Sequence, residues 1–109
     1  MGIERRNFDK PDEVFRDDDG SQTDLVQIGE NMVTRSVMQP GWSWEQYVKP
    51  AAGEDSCPME HREVIISGRI RYRMDDGSEV IGEAGDYLEI SPGHLAWVLG
   101  DEPCVTIDW

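Results

Sequence analysis

Two stretches decide the fold: CPMEHREVIISG at residues 57–68 and GDYLEISPGH at residues 85–94, set on either side of Asp75-Asp76-Gly77. Each is a β-rich run bounded by glycine, and Asp-Gly between alternating segments is the chemistry of a tight hairpin. Working outward, residues 64–67, 69–74, 78–81, 87–90, 96–99 and 104–109 read as short strands, separated by turn-forming Gly, Pro, Asp and Ser. Upstream, residues 23–28 and 32–38 alternate apolar and polar side chains around Gly29-Glu30-Asn31, which predicts a half-buried antiparallel hairpin. Short strands at even spacing with such turns mean an all-β sandwich or barrel.

The remaining segments fit around that frame. Gln39-Pro40-Gly41 ends the hairpin, and Trp42 and Trp44 follow two residues apart, which in a strand places both rings on one face. Residues 49–55 have loop composition. The charged residues 4–20 carry Phe8, Val14 and Phe15 as apolar anchors and Asp17-Asp18-Asp19-Gly20 as a turn. Residues 1–22 therefore read as an edge strand and loop packing over one rim, and residues 23–109 as the barrel itself. There is no internal repeat, low-complexity tract or long helix pattern.

A chain of 109 residues builds one domain with one core and, at most, one pocket. Its formal charge of −13, from 23 acidic and 10 basic residues, repels phosphate backbones and anionic lipid surfaces. No nucleic-acid or membrane partner is expected. Arg69, Arg71 and Arg73 alternate along one strand face, a row that suits a solvated or dimer-facing edge and, locally, an anionic ligand. Only Lys10 and Lys49 are lysines, and that scarcity beside abundant Asp and Glu resembles proteins of salt-adapted organisms. No apolar run of signal-peptide or membrane-spanning length is present, so the expected location is cytoplasmic. Cys57 and Cys104 can form one disulfide, but in a reducing compartment they stand as free thiols.

The paired glycine-bounded segments resemble the two motifs of the cupin superfamily, G-x5-H-x-H-x3,4-E-x6-G and G-x5-P-x-G-x2-H-x3-N. Anchoring the first on Gly68 puts His61 in the slot of the usual Glu ligand, with Cys57 and Asp55 in the two His slots. Anchoring the second on Gly85 puts Ser91 in the Pro slot, Gly93 on the Gly and Ala96 where a metal-binding His is expected, with His94 two residues earlier. The chain is also similar to a group of small single-domain cupins carrying Val48-Lys49-Pro50, Ser56-Cys57 and Gly100-Asp101-Glu102-Pro103, a group without a settled activity. The resemblance implies a double-stranded β-helix, or jelly roll, of antiparallel strands, and a homodimer.

Cys57, His61 and His94 form a candidate ligand set for a divalent transition metal, since thiolate and imidazole suit Zn, Fe, Ni or Cu. Asp55 or Glu63 can add an oxygen ligand. Glu63, two residues beyond His61 on the same strand face, is the candidate catalytic base, although a carboxylate there also suits a solvated strand surface. Trp44, Tyr72 and Trp97 are the candidate pocket lining for a small, flat or apolar ligand. Because Ala96 and Trp97 are adjacent, one faces the pocket and the other faces out. A Cys57 nucleophile paired with His61 needs the intervening segment to bend, because in an extended chain four residues span too far. The leading reading is a metal-dependent cupin acting on a small organic molecule as an oxygenase, isomerase or lyase. Its alternatives are a metal-free cupin that binds or senses a small ligand, with Ala96 marking a lost metal site, and a structural dimer.

Overall fold

The computed structural model describes residues 2–109. Nine strands form two facing sheets: β1 (Glu13–Arg16), β2 (Gln22–Ile28), β3 (Asn31–Met38), β4 (His61–Ser67), β5 (Arg69–Met74), β6 (Glu79–Glu83), β7 (Tyr87–Ile90), β8 (His94–Leu99) and β9 (Cys104–Asp108). The larger sheet runs β1-β2-β3-β9-β4-β7 and the smaller β6-β5-β8, with every pairing antiparallel. The fold is all-β. The hairpins expected around Gly29 and Asp75-Asp76-Gly77 join β2 to β3 and β5 to β6.

Alternation along the strands sets the core. In β8 the buried positions are His94, Ala96 and Val98, while Leu95, Trp97 and Leu99 lie on the other face. Facing them across the barrel are Ile65 of β4 and Cys104 and Thr106 of β9, each at most 2% exposed. The chain passes from the large sheet to the small one at Gly68, whose φ of +79° is open to glycine at little cost. A Cβ there would overlap the Pro103 carbonyl oxygen and lie 2.7 Å from Cys104 Cα. That crossing fixes how β4 and β5 share one core.

One local expectation is overturned. The tryptophan segment is not a strand: Trp44–Tyr47 forms a short helix α1, with the Ser43 side chain accepting from the Gln46 N–H, and Lys49–Ala52 forms α2, ended by Gly53. Both tryptophans are buried nonetheless. A Ser N-cap and a Pro in the first turn are ordinary helix-start chemistry, which the two-residue Trp spacing obscured. The N-terminal arm also reaches beyond the rim. Phe8 lies 5.3 Å below the Arg35 guanidinium, and Arg35 reaches both Asp9 and the buried Asp24 at 3.0 Å, so part of the arm covers the outer face of β2 and β3.

The arginine row lies on the outer face of β5. Two of its three guanidiniums share Glu79 of β6, with Arg73 2.7 Å and Arg71 3.7 Å away, and Arg73 stacks 5.1 Å over Trp97.

Candidate metal centre

The end of the connection after α2 is held by backbone. Cys57 N–H donates to the His94 carbonyl at 2.8 Å, and Gly93 N–H donates back to the Cys57 carbonyl at 2.7 Å. This bridge docks Cys57 on the start of β8, and the chain then turns through Pro58 to enter β4 at His61. The bend that an extended reading of this segment lacked is therefore present. Cys57 Sγ lies 3.7 Å from His61 Nε2, and one ligand atom from each of Cys57, His61 and His94 falls within 4.8 Å of the others.

Both imidazoles are oriented by a second partner. His61 Nδ1 lies 2.6 Å from Asp108 Oδ2, and His94 Nδ1 lies 2.8 Å from the Ser91 carbonyl. A carbonyl oxygen only accepts, so His94 carries a proton on Nδ1, and the Asp108 carboxylate favours a proton on His61 Nδ1 as well, which leaves each Nε2 as the atom a metal would take. This is the outer arrangement that metal-binding histidines use. The rings meet edge to face at 5.0 Å between centroids.

Electrostatics follow the same contacts. Burial opposes the Cys57 thiolate, but hydrogen bonds from His61 and His94 outweigh it and lower the pKa to about 6. Burial likewise opposes the His61 cation, but Asp108 and Cys57 raise its pKa to about 10. Cys104 behaves oppositely: burial, with the Glu63 charge, pushes its thiol up to about 12, and it remains a core residue.

Glu63 is 3% exposed, not a solvated strand carboxylate. It faces inward because His61, Glu63 and Ile65 share one side of β4. Burial raises its pKa, opposed by a hydrogen bond from the Tyr72 hydroxyl to Oε1. That bond joins the two sheets, since Tyr72 belongs to β5. A cavity of about 490 Å³ opens over these groups, walled by Phe15, Trp42, Trp44, Met38, Met59 and Val48 and reaching His61, Glu63, Tyr72, His94 and Asp108.

Of the predicted pocket residues, Trp44 and Tyr72 line this cavity and Trp97 does not. Alternation turns Ala96 inward and Trp97 outward, where it packs under Arg73 and bridges to Ser43. Asp55 is also excluded as a ligand: its exposed side chain points toward Lys49 at 3.8 Å. Ala96, in the family's usual His slot, lines the cavity. Asp108 escaped sequence reasoning because 47 residues separate it from His61. Only the pairing of β9 with β4, Asp108 opposite Glu63, brings it in.

The sequence matches no family model and no curated protein. Solved structures do resemble it. A Cupin 2 conserved barrel domain protein from Salinispora arenicola superposes with a TM-score of 0.63 at 19% identity, over 100% of this chain and 90% of that one. The chain has the cupin fold. An RmlC-like cupin from Shewanella frigidimarina gives 0.63 at 15% identity, over 97% and 88% of the two chains. A protein of unknown function from Acidithiobacillus ferrooxidans gives 0.64 at 16% identity, over 91% and 87%. At these identities the shared property of the cupin barrel is its architecture, and function has to be argued from the site. No helix among the described residues is long and apolar enough to cross a membrane.

Proposed function

We propose that this cupin barrel binds a divalent transition metal through Cys57, His61 and His94 and acts on a small organic molecule in the cavity beside it. The observation that carries the reading is the pair of oriented imidazoles, each with Nδ1 engaged, with His61 Nε2 3.7 Å from Cys57 Sγ and one ligand atom of each of the three residues within 4.8 Å of the others. The donor set fits: metal bonds of about 2.0 Å to nitrogen and 2.3 Å to sulfur, in a tetrahedron, set the donors about 3.5 Å apart, near the 3.7 Å between Cys57 and His61. Three protein ligands facing a cavity leave a position for substrate or water, and a metal so held supplies Lewis-acid polarisation of a bound oxygen.

The chain's own groups do the rest. Asp108 orients His61 and raises its basicity as a ligand. Glu63, whose raised pKa brings its proton exchange closer to neutral pH, holds or accepts a substrate proton at the cavity wall, with Tyr72 fixing its rotamer. The aromatic wall displaces water and orients a flat ligand. A homodimer belongs to the same proposal, supported by Val80 and Ile81, which are about half exposed on the edge strand β6.

One observation favours a second reading, a metal-free ligand-binding barrel: Cys57 and His61 can satisfy each other as thiolate and imidazolium. Elemental analysis of untagged protein purified in high salt separates the two. Near-stoichiometric metal is expected in the wild type and absent from Cys57→Ala, His61→Ala and His94→Ala. Asp108→Asn, which keeps every ligand, is expected to weaken metal affinity about 10- to 100-fold. A metal-free wild type that cannot be reconstituted overturns the metal reading in favour of the second.

A further inference from the structure

The cavity wall carries the side chains of Asp17, Glu63 and Asp108 and, among the described residues, no lysine or arginine. Of these, Glu63 is the one aimed into the interior while 3% exposed. Its Oε1 takes the Tyr72 hydroxyl, and Oε2 receives no donor from the described residues. Asp17 stands near the opening, where Trp42 Nε1 donates to Oδ2 at 2.9 Å. Phe15, Trp42 and Trp44 contribute ring surface, and four neutral polar groups of the wall are engaged within the protein: the Ser21 hydroxyl donates to Asp19, the Gln22 amide to Asp24, and the Thr23 and Ser36 hydroxyls bond each other.

We infer that the ligand of this cavity is an organic cation, a protonated amine on a flat apolar body, and that carboxylates and phosphates are rejected. Desolvated anions need a cationic or multiple-donor partner, and outside the Cys57–His61–His94 cluster the charged groups of the wall are carboxylates. An ammonium group gains a carboxylate oxygen of the wall together with the faces of the wall aromatics. The net charge of the wall favours a cation with or without a metal. A divalent ion offsets two of the charges on Cys57, Asp17 and Asp108 and leaves the cavity negative even with Glu63 protonated. Without a metal, Cys57 and His61 sum to no net charge wherever their shared proton sits, and the carboxylates remain. The inference rests on the small-molecule part of the proposed function and is indifferent to its metal part.

Three indoles of one ring system test it: tryptamine, 3-methylindole and indole-3-acetate, titrated against isotope-labelled protein at pH 7 with amide shifts as the readout and metal content measured on the same samples. Tryptamine is expected to bind at least tenfold more tightly than indole-3-acetate, with 3-methylindole between them. Since the whole chain is acidic, the control is decisive. Asp17→Asn combined with Glu63→Gln is expected to shrink the gap below threefold, whereas Glu30→Gln combined with Glu54→Gln, the same charge removed from exposed positions, leaves it intact. Asp17→Asn alone gives a partial loss if the double variant does not fold. An acid that binds as tightly as the amine, or a gap untouched by the inner variants, overturns the inference while leaving the metal centre standing. Failure of all three probes overturns it together with the flat-ligand cavity, and metal content still reports separately on Cys57, His61 and His94.

Discussion

Cys57 and His61 exchange a proton when the metal-free chain folds. The thiol falls from 9.0 to about 6 and the imidazole rises from 6.5 to about 10. Between pH 6.5 and 9 the unfolded chain therefore carries the proton on sulfur and the folded chain carries it on nitrogen. Bound protons are equal in number, and the pair's contribution to stability is flat. Above pH 9 the unfolded chain has lost both protons while the folded one keeps that of His61 to about pH 10, so stability falls as pH rises. Below pH 6.5 the unfolded chain binds both, and stability falls with pH until Cys57 protonates near 6. The direct check is alkylation of metal-free protein with iodoacetamide, followed by peptide mapping. Cys57 is expected to react with a midpoint near pH 6, and Cys104, buried and held near 12, to stay unmodified throughout. A Cys57 midpoint near 9 would remove the ion pair.

At the scale of elements, the site is built by three junctions: the Cys57–His94 backbone bridge, the pairing of β9 with β4, and the crossing at Gly68. The crossing is the most exposed to substitution. In Gly68→Ala a positive φ and a Cβ pressed into the Pro103–Cys104 backbone act together. The expected loss is at least ~2 kcal/mol of stability, read as a lower urea midpoint with an unchanged m-value. The relief available elsewhere is small, because the obstructing atoms are main chain. By contrast, Gly77, also at positive φ, faces open space, so alanine there carries only the conformational strain. A Gly68→Ala midpoint equal to wild type would mean that β4 and β5 are free to separate at this corner.

For the whole molecule, the charge of −13 sits on a chain whose few ion pairs are mostly exposed. Self-repulsion of that size opposes compaction and is screened as the Debye length shrinks from about 10 Å at 0.1 M salt to about 3 Å at 1 M. The thermal midpoint is expected to rise steeply between dilute buffer and molar potassium chloride, by more than an uncharged osmolyte gives at equal osmolarity. A flat response would detach the acidic composition from salt adaptation. Screening acts on exposed charges first, so the buried Asp24–Arg35 contact and the Cys57–His61 pair should change less.

Most strand positions were legible in the sequence, because period-two alternation and turn-forming residues act locally: the hairpins at Gly29 and Gly77 need only near neighbours. The three candidate ligands were legible by their spacing from Gly68 and Gly85, the glycines on which the two motifs were anchored. Phase errors came where local signals competed. Trp42 and Trp44 matched a strand period, but a Ser cap and a Pro-containing turn made two short helices there. The choice between Ala96 and Trp97 stayed open until packing against Ser43 and Arg73 settled it. Only the tertiary structure supplied Asp108 beside His61, Tyr72 on Glu63 and Asp17 near the cavity mouth. Those contacts join strands 9 to 47 positions apart in sequence, and no periodicity within one strand encodes which residue of another will stand opposite it. Sequence alone thus determined which residue types line each strand face; sheet pairing decided which of them meet, and it is their meeting that makes chemistry.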